Sequence, residues 1–256
     1  MRICLHDRQM ITEFLQQDPG LYLYMLGDLD DFYWPHTSWY GWQEDHQLHA
    51  LALLYSGDDL PVLLAFGHQA MAKLLKSLKP LLPRRFYCHL TPGLESQLSE
   101  WHLKPGGRHY RMLLKDHSKL CQDQRAVLLH PQDSESLIAF YQEAYPHNWF
   151  NPRMLATGQY MGIKQGPDWQ AVAGVHVYAP EKNVAALGNI AVLPACRGQG
   201  LGRSITGTVC QQLLKTLKTI GLNVHSENTI AIKTYQSLGF EIVAEYDEWM
   251  ASIEAH

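Results

Sequence analysis

The stretch best suited to chemistry is a glycine-rich loop, Arg197-Gly198-Gln199-Gly200-Leu201-Gly202. It lies between a short apolar run over 184–193, which predicts a buried strand, and an amphipathic helical pattern over 205–217 that Gly221 is expected to end. Positions without a side chain let the backbone approach a ligand, and unpaired amides at a helix N-terminus favour negative charge. With the fixed charge of Arg197 beside them, these residues predict a diphosphate site.

Other glycine loops have spacings that this one does not meet. A Walker loop requires Lys and then Ser or Thr after its last glycine, but Arg203 and Ser204 follow Gly202. If the dinucleotide-binding pattern is counted from Gly198, Arg203 stands where its final glycine is required. The residue about twenty positions later is Lys218, where that pattern requires an acid. A turn that merely packs a helix on a sheet remains the alternative explanation.

The residues downstream of the loop continue a larger pattern. Asn189-Ile190-Ala191-Val192-Leu193-Pro194 precedes the loop, 228–235 reads as a later helix, and Leu238-Gly239-Phe240 follows that helix. Together these segments resemble the GNAT superfamily of acyl-CoA-dependent N-acyltransferases. The resemblance implies acetyl-CoA or another acyl-CoA as donor and the amine of a small molecule or amino acid as acceptor. The run 185–191 further resembles the glycine N-acyltransferase-like branch.

The resemblance also implies which residues hold the acyl-CoA. They come from the strand end, the loop and the later helix: Ile190, Ala191, Val192, Arg197, Gly198, Gln199, Gly200, Leu201, Gly202, Arg203, Asn228, Ala231 and Tyr235.

The resemblance implies that Tyr235 donates a proton to the departing thiolate. Asn228 is a favoured helix N-cap, and it lies two turns from Tyr235 on the same helix face. A phenol with a pKa of about 10 stays protonated at neutral pH and can protonate a thiolate whose conjugate thiol has a pKa of about 8.5. Ordinary packing of this tyrosine in an apolar stripe is the alternative.

The sequence indicates the general base less clearly than it indicates the proton donor. Many GNAT members carry a Glu just before the Ile-Ala-Val segment, but 186–189 contains no carboxylate. His176 is the first candidate, because a hairpin turn over 179–183 would place it across from that strand; a half-buried histidine bonded to its neighbours is the alternative. His225 and Glu227 are the next candidates. An α-amino acceptor with a pKa of about 7.7 to 8.0 would need little help from any base.

The segment 145–150 links the two early helices of the second half. In GNAT proteins this link usually shapes the acceptor pocket, so the resemblance implies that it binds the acceptor here. The predicted substrate-binding residues are His147, Trp149, Phe150, Asn189 and His225.

Composition narrows the class of protein. The chain has 256 residues, a formal charge of −4 and a pI near 6.4, and its Lys and Arg are scattered, so neither nucleic acid nor an anionic membrane is an expected partner. Charged residues within 1–14 argue against a signal peptide or membrane span. Five cysteines without paired spacing predict reduced thiols, a cytoplasmic protein and no metal site. A monomer or homodimer is expected.

A polar run over 115–124 separates two patterned halves. We predict a degenerate GNAT-like N-terminal domain, 1–116, and a catalytic GNAT domain, 124–256. Both are expected to be α+β, with a mixed, mostly antiparallel sheet flanked by helices; helices are predicted at 93–101 and 152–158.

Two other functions remain open. The missing Glu suits a non-catalytic acyl-CoA-binding regulatory protein. An aminoacyl transferase that uses aminoacyl-tRNA is disfavoured, since the chain lacks a basic patch.

Overall fold

The computed structural model describes residues 1–31, 33–57, 59–146 and 148–253. Two compact units divide the chain: the first holds 1–111, 225–227 and the described residues from 243 onward, and the second holds 112–224 and 228–242. These units differ from the predicted domain limits chiefly at the end of the chain. There the last strand pairs with 85–90 of the first unit. The limits 1–116 and 124–256 stay a prediction.

The first unit begins with four antiparallel strands and then a parallel pair. Its elements are β1 (Arg2–Leu5), α1 (Arg8–Leu15), α2 (Leu23–Gly27), β2 (Thr37–Glu44), β3 (Gln47–Tyr55), β4 (Val62–Ala65), α3 (Gln69–Leu78), β5 (Arg85–Leu90) and β6 (His102–Leu114). Strands β1 to β4 pair in sequence order and antiparallel, whereas β4 and β5 are parallel. The crossover between these parallel strands is α3.

The core of the first unit lies under α3. Met71, Leu74, Leu75 and Leu78 recur at the three- and four-residue spacing of one helix face, and each is 0% exposed. They pack with the buried side chains of β3, β4 and β5, among them Phe86. Complete burial of each such side chain contributes about 1.5–3 kcal/mol, so this face fixes α3 on the sheet.

The second unit repeats this order. Its elements are β7 (Ala126–Leu128), α4 (Ser134–Ala144), β8 (Met161–Gln165), β9 (Asp168–Ala179), β10 (Val184–Val192), α5 (Leu201–Leu213), β11 (Thr219–His225) and α6 (Thr229–Ser237). The last strand, β12 (Phe240–Ser252), begins in this unit and belongs to the first unit from residue 243 onward. Strands β7 to β10 are antiparallel, β10 and β11 are parallel, and α5 is the crossover. The predicted mixed, mostly antiparallel sheet with flanking helices is confirmed.

Three local predictions are wrong. Gly221 does not end a helix: α5 ends at Leu213, a hydrogen bond from Thr216 N to Leu213 O closes its last turn, and Gly221 pairs with Ala186 in β11. The segments at 93–101 and 152–158 form only 3-10 turns, Leu94–Leu98 and Pro152–Thr157. Their hydrogen bonds span three residues, as in Trp101 N to Leu98 O, which is the tighter 3-10 geometry common in short connecting segments.

Candidate functional site

The glycine loop leads directly into α5. Gly198 and Gly200 both have φ of +77°, a conformation that costs a residue with a side chain roughly 1–2 kcal/mol. A Cβ at either position would meet nothing within 4 Å. The first described hydrogen bond of the helix runs from Ser204 N to Gly200 O at 3.0 Å, so the amides of 201–203 precede it. The loop therefore offers open space beside helix N-terminal amides.

The two arginines of the loop are held by the fold. Arg197 donates from Nε to Val192 O at 3.2 Å and from Nη2 to Ala144 O at 3.1 Å, and so ties the end of β10 to the end of α4. Arg203 donates from Nε to Ser237 Oγ at 3.1 Å, which ties α5 to α6. Both place positive charge at the loop, and the Nε and Nη2 groups of each have acceptors within the protein. Their contact with a diphosphate stays a prediction.

The remaining loop residues play different parts. Gln199 is exposed, whereas Leu201 is 4% exposed and anchors the first turn of α5 in the core. A Cβ at Gly202 would lie 3.5 Å from Val192 Cγ2, an ordinary contact. The third glycine thus packs α5 against the end of β10.

Strand β10 bulges where the acyl group is predicted to bind. Gly188 pairs with Gly174 and Ala191 pairs with Val172, so β10 uses one more residue than β9 over this interval. Within the bulge Asn189 has φ of +52°. Bulges and left-handed residues other than glycine concentrate at functional sites, where they re-aim side chains and backbone groups. Ile190, Ala191 and Val192 follow directly, as predicted acyl-CoA-binding residues.

Two buried tyrosines hold this bulge. Tyr141 OH donates to Asn189 O at 2.7 Å, and Asn189 Nδ2 donates to Tyr160 OH at 2.9 Å. Tyr160 OH in turn donates to Val175 O at 3.0 Å. Sequence reasoning missed both tyrosines, because a Tyr on the apolar face of a helix or at the start of a strand is indistinguishable from ordinary core.

His176 lies in a second bulge, on β9. Val177 pairs with Ala186 and Val175 pairs with Leu187, which leaves His176 as the extra residue across from β10, as its position in the hairpin predicted. Its ring lies where a Cβ on Gly188 would come within 2.3 Å of it. Burial lowers the pKa of His176, and a side-chain hydrogen bond with Asn189 opposes part of this shift. The lowered pKa favours the neutral imidazole, and the role of His176 as base stays a prediction.

Helix α6 presents Tyr235. Asn228 Oδ1 accepts from Ala231 N at 3.1 Å, so the predicted N-cap is confirmed. Tyr235 is half-buried, and its ring centroid lies 6.0 Å from that of the buried Phe240. No residue of α6 is fully buried, although the whole helix is described. This leaves a helix face able to cover a ligand.

Residues 119–240 match the acetyltransferase (GNAT) family. This segment is similar to the members of that family. The match includes the loop, the β10 bulge and α6, and GNAT acetyltransferases use acetyl-CoA.

Two curated relatives of the GNAT segment are named mycothiol acetyltransferase. The one from Rhodococcus erythropolis is 33% identical over 141 residues, which is 52% of this chain and 46% of the relative. The one from Mycobacterium ulcerans is 31% identical over 193 residues, 69% of this chain and 60% of the relative. The chain thus spans about half the length of the curated relatives it matches.

Solved structures extend the likeness of fold to the whole chain. A Drosophila protein has a TM-score of 0.72 at 14% identity and covers 98% of both chains. A tandem GNAT protein from the clavulanic acid biosynthesis pathway has a TM-score of 0.56 at 13% identity and covers 100% of this chain and 99% of that one. These likenesses concern the GNAT fold, which the chain shares.

Of the acceptor residues predicted within 145–150, the structure describes Trp149 and Phe150. Phe150 packs against Tyr141, with ring centroids 4.9 Å apart, and against Tyr160 at 5.8 Å, so it borders the Asn189 bulge. Trp149 is 73% exposed. His147 lies outside the described residues. A groove of about 450 Å³ lined by Thr208 and Lys215 lies at the opposite end of α5 from the glycine loop.

His225, predicted to bind substrate, belongs to the first unit. Its Nδ1 accepts from Glu227 N at 3.2 Å, and its ring centroid lies 4.9 Å from that of His109. Among the residues that the structure describes, no three His, Cys, Asp or Glu side chains are grouped as a metal site. Nor is any helix of the described chain long and apolar enough to cross a bilayer.

A cluster of titratable groups surrounds Glu248 in the first unit. Its Oε1 lies 3.4 Å from His89 Nε2 and 3.6 Å from His109 Nδ1, and Tyr87 and Tyr246 both donate to the carboxylate. Burial, with Arg111 and His109 nearby, lowers the pKa of His89 to about 3. Burial, followed by His225, lowers the pKa of His109 to about 4. Burial also raises the pKa of Glu248.

These shifts predict a loss of stability in acid. Below the unfolded-state pKa of about 6.5 the unfolded chain takes up protons that the folded His89 and His109 do not, so the free energy of unfolding falls until pH reaches the folded values. The raised pKa of Glu248 opposes part of this loss. In urea unfolding of the full chain, His89→Gln should reduce the pH dependence of the free energy of unfolding by about 1.4 kcal/mol per pH unit between pH 6 and 4. His102→Gln, at an exposed position of the same unit, should leave this pH dependence unchanged. Equal effects of the two substitutions would contradict the assignment of the pH dependence to His89.

Proposed function

We propose that this protein transfers an acetyl, or another acyl, group from acyl-CoA to the amine of a small molecule or amino acid. The observation that carries the proposal is the glycine loop, where two left-handed glycines leave open space beside the amides of 201–203. A helix N-terminus of this kind favours the linked phosphates of CoA. The name shared by the curated relatives supports acetyl as the transferred group.

The chemistry needs few protein groups, because a thioester is already activated. The amine attacks the carbonyl carbon, and the negative charge on oxygen needs a backbone donor, for which the amides of Ala191 and Val192 are the predicted source. Cleavage of the carbon–sulfur bond releases a thiolate, and Tyr235 would supply its proton. His176 would accept the proton that the amine loses.

A non-catalytic acyl-CoA-binding protein is the second candidate. It is favoured by one observation: Asn189 stands just before the Ile-Ala-Val segment, where many GNAT members have a Glu, so this strand supplies no carboxylate base. The narrower resemblance to the glycine N-acyltransferase-like branch stays a prediction, since the two curated relatives carry a different name.

One experiment separates these functions. Calorimetry with acetyl-CoA should show binding, and a screen of amines with acetyl-CoA and longer acyl-CoAs should show release of free thiol above the rate without amine. Binding without thiol release from any amine would establish the regulatory alternative. Absence of binding would contradict both.

A further inference from the structure

The polar segment 115–124, predicted to separate the two halves of the chain, packs against α5 within the second unit. We refer to this segment as the α5 strap. Asp123 Oδ2 accepts from Ser204 Oγ at 2.5 Å, and Asp123 N donates to Thr208 Oγ1 at 2.9 Å. Ser204 and Thr208 are four residues apart, so Asp123 contacts two successive turns on one face of the helix.

The middle of the α5 strap approaches the helix backbone closely at Gly207. A Cβ at this position would lie 2.3 Å from the main-chain oxygen of Cys121 and 3.2 Å from its Sγ. Glycine is unfavourable inside a helix, and this close approach accounts for its presence in α5. A methyl group at Gly207 would have to displace the main chain of the strap.

The α5 strap also holds Arg203, in the first turn of α5. Arg203 Nη2 donates to Lys119 O at 3.2 Å, and Cys121 Sγ lies 3.8 Å from Arg203 O, its acceptor. Just beyond the strap, Arg125 donates from Nε and Nη2 to the two carboxylate oxygens of Asp123, at 2.9 and 2.7 Å. This two-point contact lowers the pKa of Asp123 and fixes the orientation of its carboxylate.

The first turn of α5 needs such support, because its N-cap is Gly200. A glycine N-cap has no side chain to accept from the amides of the turn, and it adds backbone freedom where helices fray. The proposed diphosphate site consists of the amides of 201–203, and their alignment before binding reduces the entropic cost of binding. The buried Leu201 anchors the turn on the core side, and the α5 strap holds it at residues 203 and 204.

We propose that the α5 strap is a positioning element of the acyl-CoA site, in which Asp123 and Cys121 hold the amides of 201–203 in the geometry that binds two linked phosphates. This inference rests on the proposed transfer from acyl-CoA. Asp123 is a positioning residue, because it acts on the ligand through Ser204 and not by contact. A thioester donor that lacks the diphosphate does not depend on the strap.

The first test compares acetyl-CoA with S-acetylpantetheine, which has the same thioester but no diphosphate. In the full chain, Ser204→Ala should raise the Kd for acetyl-CoA about tenfold, the effect of one lost hydrogen bond to a charged group. With an amine that supports thiol release, kcat at saturating acetyl-CoA and kcat/KM for S-acetylpantetheine should stay unchanged. Ser134→Ala is the matched control, because Ser134 is a half-buried serine in the first turn of α4, and it should alter neither donor.

Further variants test the strap itself. Gly207→Ala is favourable by helix propensity alone, but its methyl group displaces the strap, so it should weaken acetyl-CoA binding at least as much as Ser204→Ala. Asp123→Ala should match Ser204→Ala, and the double variant should bind no more weakly than either single variant, because both remove the same hydrogen bond. Asp123→Asn keeps an acceptor oxygen and should restore most of the affinity.

Two results would overturn the inference. One is native affinity for acetyl-CoA in both Ser204→Ala and Gly207→Ala. The other is an equal loss with acetyl-CoA and S-acetylpantetheine, which would show that the strap stabilises the unit as a whole and has no particular effect on the loop. Absence of acetyl-CoA binding by the native chain would instead contradict the proposed function.

Discussion

Replacement of Tyr235 by phenylalanine is expected to lower kcat about 100-fold, the lower range for loss of a positioned general acid. The phenol donates its proton only as the thiolate forms, so its loss affects the transition state and not the bound acyl-CoA. The ring remains and keeps its contact with Phe240. Steady-state rates of thiol release, together with calorimetric affinity for acetyl-CoA, measure the two effects separately.

Tyr178 provides the control for this change. It is a half-buried tyrosine of β9 that pairs with Ala185, and it belongs to the same unit as Tyr235. Tyr178→Phe should leave both kcat and affinity unchanged. If Tyr235→Phe retained full kcat, Tyr235 would be a packing residue of α6. Its position in an apolar stripe of the sequence is also consistent with that interpretation.

The sequence was sufficient for the features that depend on local spacing. Glycines at 198 and 200 between an apolar run and a helical pattern predicted a strand, a loop and α5, and all three are present. The N-cap at Asn228 and the left-handed Gly239 after α6 follow the same local rules. In each case the residue type itself sets the backbone conformation.

Other features depend on pairing between distant segments, which local patterns do not encode. The bulges at His176 and Asn189 arise from register between β9 and β10, so alternation within either strand does not reveal them. Arg197 was predicted from its charge, but its hydrogen bonds to Val192 and Ala144 depend on where three elements end. The pairing of β12 with β5 is equally non-local and accounts for the difference at the end of the chain.

Replacement of Gly198 or Gly200 by valine is expected to weaken acyl-CoA binding about 100-fold. A β-branched residue opposes the left-handed backbone and fills the open space beside the helix amides. Loss of two hydrogen bonds to a charged group amounts to about 3 kcal/mol, which corresponds to about 100-fold in Kd. Calorimetry with acetyl-CoA measures this loss, and thiol release at saturating acetyl-CoA shows whether turnover survives.

Gly166 separates lost binding from strained backbone. It lies in the turn between β8 and β9 with φ of +61°, and a Cβ there would also meet nothing within 4 Å. Gly166→Val therefore carries a comparable strain, so its effect on thermal stability should resemble that of the loop variants. Its affinity for acetyl-CoA should remain that of the native chain, because no helix N-terminus follows this turn. If all three variants lost affinity equally, the loss would reflect general destabilisation, and the diphosphate site would have to lie away from the loop.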